Sequence, residues 1–488
     1  MEAAASAASL AQAAQKSIGV IHLRFEECKF SRKAASLLAE WLKTKALIET
    51  ICLSKVAFED MVDFKKITEG VKFNQRLVKL SVQQMNFDEE LCGTSIGRVL
   101  SDSRSIRELD ISHVVFDYRN FYDMCQAILS ERCRLNVLKM RGLAVGEIEG
   151  KIVQFILMKN KQIHTLDLSE CKTEDPAHFD YFFEKLNQFC HVRYLTLERM
   201  GSDLSLNLEA LAEALADNVK LEVLILRDNR LKWPQYQSFW SLLLPNRALQ
   251  KVNLQKTDLS DRVVDNLCRY LEQDGIELAD LDLSKNQVTD AGLRALSESL
   301  KKNSSVKYLN LTSNKLKGEA CEAFVELLQC NKTLLEAALG GNAISNEGVA
   351  TLAQFLPHND TLRHLDLSRN SFSDAGFNVF ARALGENRGL AFLDIAKNKD
   401  VTDDGSLVTL CDSLAKNEKL RTLDLTGVQI RKPFLKQVFD PALRRNITLQ
   451  EVVGKISHNV IQPELDQNVT IEKEVLPLFQ PRYVPARG

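Results

Sequence analysis

The sequence predicts an α/β solenoid of about sixteen repeats, with parallel strands on a concave face and helices on the convex one. Three observations carry this reading. The octet "LDLSKNQV" beginning at Leu281 returns as "LNLTSNKL" at Leu309 and "LDLSRNSF" at Leu365. A template L-x-x-L-x-L-x-x-N-x-L fits at steps of 28 to 30 residues. Within each unit the apolar spacing then changes from every second residue to a helical period.

Counting the first apolar residue as position 1, the units begin at Val20, Ile48, Leu77, Ile106, Leu135, Ile163, Val192, Leu221, Leu249, Leu278, Val306, Leu334, Leu362, Leu390, Leu420 and Leu449. After Asn286, Leu293, Leu296 and Leu300 mark a helix, and Val264, Leu267 and Leu271 repeat those offsets one unit earlier. Asn stands three residues before the next unit at Asn74, Asn160, Asn218, Asn246, Asn303, Asn331, Asn359, Asn387, Asn417 and Asn446, and Gly275 takes the place once. Both residues tolerate left-handed backbone, so this column predicts left-handed helix C-caps. "TDAG", "SNEG", "SDAG" and "TDDG" precede the helical runs and supply Asp or Asn to cap backbone N–H groups.

This pattern resembles the leucine-rich repeat family, and within it the ribonuclease-inhibitor-like subclass, from Val20 to about Gly454. The resemblance implies a leucine-rich-repeat solenoid in which the position-9 Asn is buried and bonds the neighbouring turn's backbone. That structural ladder comprises Asn229, Asn286, Asn314, Asn342, Asn370 and Asn398, with Thr257 interrupting it. The first seven units carry Cys28, Val56, Met85, Val114, Leu143, Cys171 and Met200 there instead. Strands about 4.8 Å apart against helices needing about 10 Å would bend the stack into a horseshoe. The expected organisation is an N-terminal helical cap over 1–19, divergent repeats 1 to 7 over 20–220, regular repeats 8 to 16 over 221–457, and an extended C-terminal tail over 458–488. A continuous solenoid with a less regular N-terminal half is expected, with two packed sub-arrays as the alternative.

Lys and Arg number 63 against 65 Asp and Glu, a net charge of -2 that gives no global pull toward nucleic acid or membrane. No run approaches a membrane span, and "MEAAASAASLAQAAQKS" lacks the basic start and apolar core of a secretory signal. The eleven cysteines form no CxxC pair, and Cys28 and Cys171 fall on apolar positions, which points to reduced thiols and a cytoplasmic setting. Phosphate loops, GxGxxG, HExxH and paired-cysteine zinc motifs are lacking, so no catalytic residue, cofactor or metal is expected. His22, His113 and His364 take outward strand positions and are read as solvated. Gly340-Gly341, at positions 7 and 8, is read as a response to crowding or curvature.

Function then rests on the lining, where positions 3, 5, 7 and 8 face the concavity. Position 5 holds Asp110, Asp167, Asp282, Asp366, Asp394 and Asp424, read as a solvated acidic column offset by Lys139, Lys251, Lys256, Lys285 and Lys397. Position 3 holds Tyr194 and Val223, with Ile225 beside them and Tyr308 and Phe392 further on; such outward groups are typical interface anchors. In "RLKWPQYQSFWSLLLPN", Tyr236, Phe239 and Leu243 take core positions. Trp233 and Trp240 are then either exposed anchors or packed on the next helix. These residues point to a non-catalytic scaffold or regulator gripping a protein partner. The resemblance extends that to cytoskeletal or ciliary assemblies. The alternative is a GTPase-activating protein of the Ran type, for which Arg227 in "LRDN" is the nearest, offset match.

Overall fold

The computed structural model describes residues 21–44, 48–87, 92–175, 177–187, 191–200, 206–231, 233–398, 401–428, 434–443 and 445–453. The expected N-terminal cap over 1–19 and tail over 458–488 lie outside them. The chain forms two compact units, Met1–Asp258 with Gln273–Leu278, and Leu259–Glu272 with Ala279–Gly488. The change in column composition at 220/221 falls inside the first.

The first unit aligns nine parallel strands in chain order: Ile21–Glu26, Ile48–Ser54, Lys79–Gln83, Glu108–Asp110, Val137–Lys139, Thr165–Asp167, Tyr194–Thr196, Val223–Ile225 and Lys251–Asn253. The second aligns seven: Asp280–Asp282, Tyr308–Asn310, Glu336–Ala338, His364–Asp366, Phe392–Asp394, Thr422–Asp424 and Glu451–Val453. Each strand belongs to one predicted repeat. A helix follows, such as Asp290–Lys302, burying Leu293, Leu296 and Leu300 against the back of the sheet.

Hydrogen-bond demand explains the repeat's fixed positions. Leu283 N–H, at position 6, donates to Asn310 O of the next strand (2.8 Å), and Lys285 N–H, at position 8, donates to Thr312 O (2.7 Å). Position 8 is left-handed in the first fifteen repeats, from φ 48° at Arg199 to 88° at Gly427, although only Gly142, Gly341 and Gly427 are glycines there. Each non-glycine residue in that region carries a penalty of about 1–2 kcal/mol, offset by the inter-repeat bond it makes. The position-7 N–H is left outside this ladder. Asp282 takes it, its carboxylate accepting from Ser284 N–H (2.9 Å), and Asp110, Asp167, Asp366, Asp394 and Asp424 do the same in their repeats. The position-5 column is therefore corrected from solvated carboxylates to turn-closing ones, and Asp110, Asp167, Asp282 and Asp394 are buried.

The position-9 ladder is formed. Asn314 Nδ2 donates to Leu283 O and Leu311 O, both 3.0 Å, and its Oδ1 accepts from Val288 N–H (3.0 Å). Asn229, Asn286, Asn342, Asn370 and Asn398 donate to position-6 carbonyls in the same way. Where Thr257 interrupts the column, its hydroxyl donates to its own position-6 carbonyl, Leu254 O (2.8 Å). In repeats 1 to 4 a different device operates. Position 11 is Phe30, Phe58, Phe87 and Phe116, and with Phe64 and Phe121 these rings run in sequence at centroid spacings of 5.1 to 6.1 Å. The loops there form extra short strands, Lys29–Phe30 against Ala57–Phe58 and Asn86–Phe87 against Val115–Phe116.

The helix-end column is also corrected. Asn74, Asn160, Asn303, Asn331 and Asn387 have φ between -69° and -84° in extended backbone, and among the column only Gly275 (φ 75°) is left-handed. The asparagines act through their amides. Asn331 Nδ2 donates to Leu300 O (2.8 Å) and Asn303 O (3.0 Å) of the preceding repeat, while Oδ1 accepts from Thr333 and Leu334 N–H, both 2.8 Å. This is a second asparagine ladder, on the helix-to-strand side. The helix-start Asp and Asn side chains likewise reach forward. Asp261 accepts from Thr289 N–H (2.8 Å), Asn346 from Ser373 N–H (2.9 Å) and Asp374 from Asp403 N–H (3.1 Å), each in the following repeat. All described cysteines are free thiols, and burial pushes Cys171, Cys268, Cys321 and Cys411 up to about 12.

Candidate functional site

Register places the predicted lining residues. In the first unit the position-3 row runs Val137, Thr165, Tyr194, Val223, Lys251, and the position-5 row runs Lys139, Asp167, Thr196, Ile225, Asn253. Tyr194 and Val223 are thus direct neighbours across a strand pair, and Ile225 lies two residues along on the same face. Their intervening partners, Leu195, Leu197, Leu224 and Leu226, are buried under the sheet. Tyr194 is 38% exposed, and Val223 and Ile225 are half-buried. The tyrosine ring meets the His164 ring edge-on at 6.3 Å and the Arg193 guanidinium at 5.8 Å. Arg193 in turn forms a two-point pair with Glu222, at 2.7 and 2.8 Å.

At the other end of these strands lies a charge lattice built from positions 7 and 8. Arg227 Nε sits 2.5 Å from the buried Glu198 carboxylate. Arg141 lies 2.7 Å from Glu170, 3.6 Å from Asp167 and 3.7 Å from Glu198. Arg199 bridges Glu170 (3.4 Å) and Asp228 (3.5 Å), and Lys256 closes on Asp228 at 2.7 Å. The Arg141 bond holds Glu170 below the usual carboxylate range; for Asp228, burial pushes upward but Lys256 and Arg199 outweigh it. Of this group, the sequence singles out Arg227, Lys256 and, at position 5, Asp167. The signal was charged residues at positions 7 and 8 in consecutive repeats, Arg141, Glu170, Glu198, Arg199, Arg227, Asp228 and Lys256.

In the second unit, Tyr308 stands half-buried between Asp280 and Glu336, and Phe392 is three strands along from Tyr308. The two aromatics are not brought together. Phe392 packs instead on His364, ring centroids 3.9 Å apart. That corrects the solvated reading of His364, which is buried and held down to about 4 by desolvation. His22 is exposed, as expected, and His113 is half-buried, 3.6 Å from Glu170. A β-carbon on Gly340 would lie 2.7 Å from the Asp366 carboxylate and Ser368 Oγ, so crowding accounts for that glycine.

The tryptophans separate. Trp240 is 0% exposed, edge-on to Phe239 at 5.0 Å, and is corrected from candidate anchor to core; Tyr236, Phe239 and Leu243 are buried as expected. Trp233 opens the helix Trp233–Leu243 and is half-buried. Among the described residues no group of three or more His, Cys, Asp or Glu could hold a metal ion, and no helix is long and apolar enough to cross a membrane.

A Leucine Rich repeat family model matches residues 278–297, 302–325 and 358–377. The mouse ribonuclease inhibitor is 27% identical over 226 residues, which is 46% of this chain and 49% of that protein. The pig ribonuclease inhibitor is 24% identical over 280 residues, 57% of this chain and 60% of that protein. An internalin structure from Listeria monocytogenes aligns at a TM-score of 0.39 and 15% identity, covering 82% and 87% of the two chains. The chain is a leucine-rich-repeat protein, ribonuclease-inhibitor-like in its repeats. It spans about half the length of the mouse inhibitor it matches (49%). Leucine-rich-repeat proteins generally mediate protein–protein interaction.

Proposed function

We propose that this chain is a non-catalytic scaffold or regulator that binds a protein partner through the strand face of repeats 5 to 9 and the loops beside it. The observation that carries this is the exposed Tyr194 ring next to Val223 and Ile225, an apolar centre with no duty in the core, bordered by charges that are already paired. Desolvating an aromatic centre inside a polar rim is the usual source of interface affinity. The rim's ion pairs hold their side chains in place beforehand, so less rotamer entropy is lost on docking. The mouse and pig relatives are by name inhibitors, and a partner-gripping role is consistent with them. Trp233 and the second-unit residues Tyr308 and Phe392 are secondary contacts in this reading. A place in a cytoskeletal or ciliary assembly is its finer form, carried by family resemblance.

The test is quantitative recovery of bound proteins from the native cell's lysate by wild type and by a Tyr194→Glu/Ile225→Lys variant. A defined set lost from the variant, at an unchanged unfolding midpoint, is expected; equal recovery would remove the patch from consideration. For the alternative, a GTPase-activating protein of the Ran type, Arg227 is the residue at issue. Its pairing with buried Glu198 favours a structural role. A single-turnover GTP hydrolysis assay with any recovered small GTPase separates the two readings, since the scaffold reading expects no acceleration.

A further inference from the structure

The helix of repeat 5, Glu147–Lys159, is apolar on both sides. Val153, Ile156 and Leu157 face the sheet, while Ile148, Phe155 and Met158 are 49%, 45% and 51% exposed and Ile152 is half-buried beside them. Charged residues stand in the equivalent columns of repeats 1, 9, 10, 11 and 13, whereas repeat 6 has Phe183 and Leu186 there, both buried. Positions 21 and 24 are Phe155 and Met158 here but Glu298 and Lys301 in repeat 10, and position 21 is Glu326 in repeat 11 and Arg382 in repeat 13. The preceding helix, Tyr118–Ile128, adds Tyr118 and Tyr122, both exposed and in ring contact at 5.9 Å. A helix apolar all round is normally covered on every side.

The charges around this stripe point to what covers it. Glu147 stands at the helix's first residue, and Lys159 and Lys161 stand at and just past its last, all exposed. Two cations flank the stripe's rings: Lys151 is drawn aside by Glu147 and lies over the Tyr181 ring at 5.1 Å, and Lys159 lies over the Phe155 ring at 5.8 Å. The face is therefore acidic at one end, apolar in the middle and basic at the other. A copy of itself, turned antiparallel about a two-fold axis, matches it: each Glu147 shares its carboxylate between its own Lys151 and the partner's lysine end, the Ile148, Ile152 and Phe155 side chains interdigitate, and the helix dipoles oppose. A parallel copy would set like charges together.

We propose that this chain forms an antiparallel homodimer through the outer face of the Glu147–Lys159 helix. The apolar contact is small, so dissociation is expected over roughly the micromolar range. Sedimentation velocity on the full chain from about 1 to about 100 µM should show a monomer–dimer transition in wild type. Phe155→Glu/Met158→Glu alters only exposed side chains and should stay monomeric with an unchanged circular-dichroism melting curve. Glu147→Lys alone, and Lys159→Glu/Lys161→Glu alone, should each need about tenfold more protein to dimerise, while their equimolar mixture restores association. A wild type that is monomeric throughout overturns the proposal and leaves the face to a different chain. So does a Phe155→Glu/Met158→Glu variant that folds and still dimerises, or a charge-swapped mixture that fails to recover.

Discussion

Arg227 reaches across one strand to hold the carboxylate of Glu198, Nε to Oε1 at 2.5 Å, and Glu198 is 5% exposed. A carboxylate that far from water needs its cation, and Arg141, the other nearby one, stands off at 3.7 Å. Arg227→Ala should therefore cost about 1–3 kcal/mol, less than a fully buried pair because the guanidinium itself is partly solvated. Adding Glu198→Gln removes the orphaned charge and should return part of the loss. Chemical unfolding of both variants measures it; equal midpoints for single and double variants would contradict the pairing argument.

Asn314 satisfies three backbone groups with one amide: Leu283 O, Leu311 O and Val288 N–H. Asn314→Leu leaves the Val288 N–H without its acceptor and takes one of two amide donors from Leu283 O, still held by Asn286, and from Leu311 O, still held by Asn342. The expected loss is about 1–3 kcal/mol, seen as a lower unfolding midpoint. An unchanged midpoint would mean the ladder amide is dispensable.

Asn331→Gly tests the second ladder. A left-handed cap would tolerate glycine or gain from it. Here the backbone is at φ -80°, and the amide bonds four backbone groups, Leu300 O, Asn303 O, Thr333 N–H and Leu334 N–H, and accepts from the Thr333 hydroxyl as well. Glycine should instead destabilise by about 2–3 kcal/mol on thermal unfolding. A variant as stable as wild type would restore the capping explanation.

Period and position were legible in the sequence because apolar residues recur every second position along the strands and at helical spacing along the helices. The sixteen starts, the position-9 amides and the core triad Tyr236, Phe239 and Leu243 all follow from that. Side-chain roles were less legible where two physical jobs share one residue type. Asparagine suits both a left-handed cap and an amide bridge, and only the φ angle and the partner 28 to 32 residues away decide. Aspartate at position 5 looked like a solvated charge because the skipped position-7 N–H becomes evident only once the inter-strand bonds are placed. For Trp240 the sequence left an exposed anchor and a packed ring both open, and burial of its helix on more than one side decides for the packed ring. The phenylalanines of repeats 1 to 4 were visible as a column, yet their contacts depend on ring orientation. The apolar centre at Tyr194, Val223 and Ile225 could be read from register alone, whereas the lattice around Glu198 needed distances between neighbouring repeats.

Asp394 offers a pH test of the second unit. Burial raises its carboxyl to about 7, helped by the negative charges of Asp366 and Asp424 in the adjoining strands, against the smaller pull of the Ala396 N–H and Lys397. In the unfolded chain the same group titrates near about 3.9. Between those values the folded state keeps a proton the unfolded state has released. Stability contributed by this group is therefore highest at acid pH, falls as pH rises through the window, and is fully lost above about 7. Asparagine can replace it without losing the turn, because Asn310 holds the same position and accepts from Thr312 N–H at 3.0 Å. Asp394→Asn should thus match wild type near pH 4 and unfold later than wild type at pH 8, by on the order of 2–4 kcal/mol. Thermal melts of both proteins across that range measure the difference. A gap that stays constant with pH would show that Asp394 does not hold its proton in the folded chain.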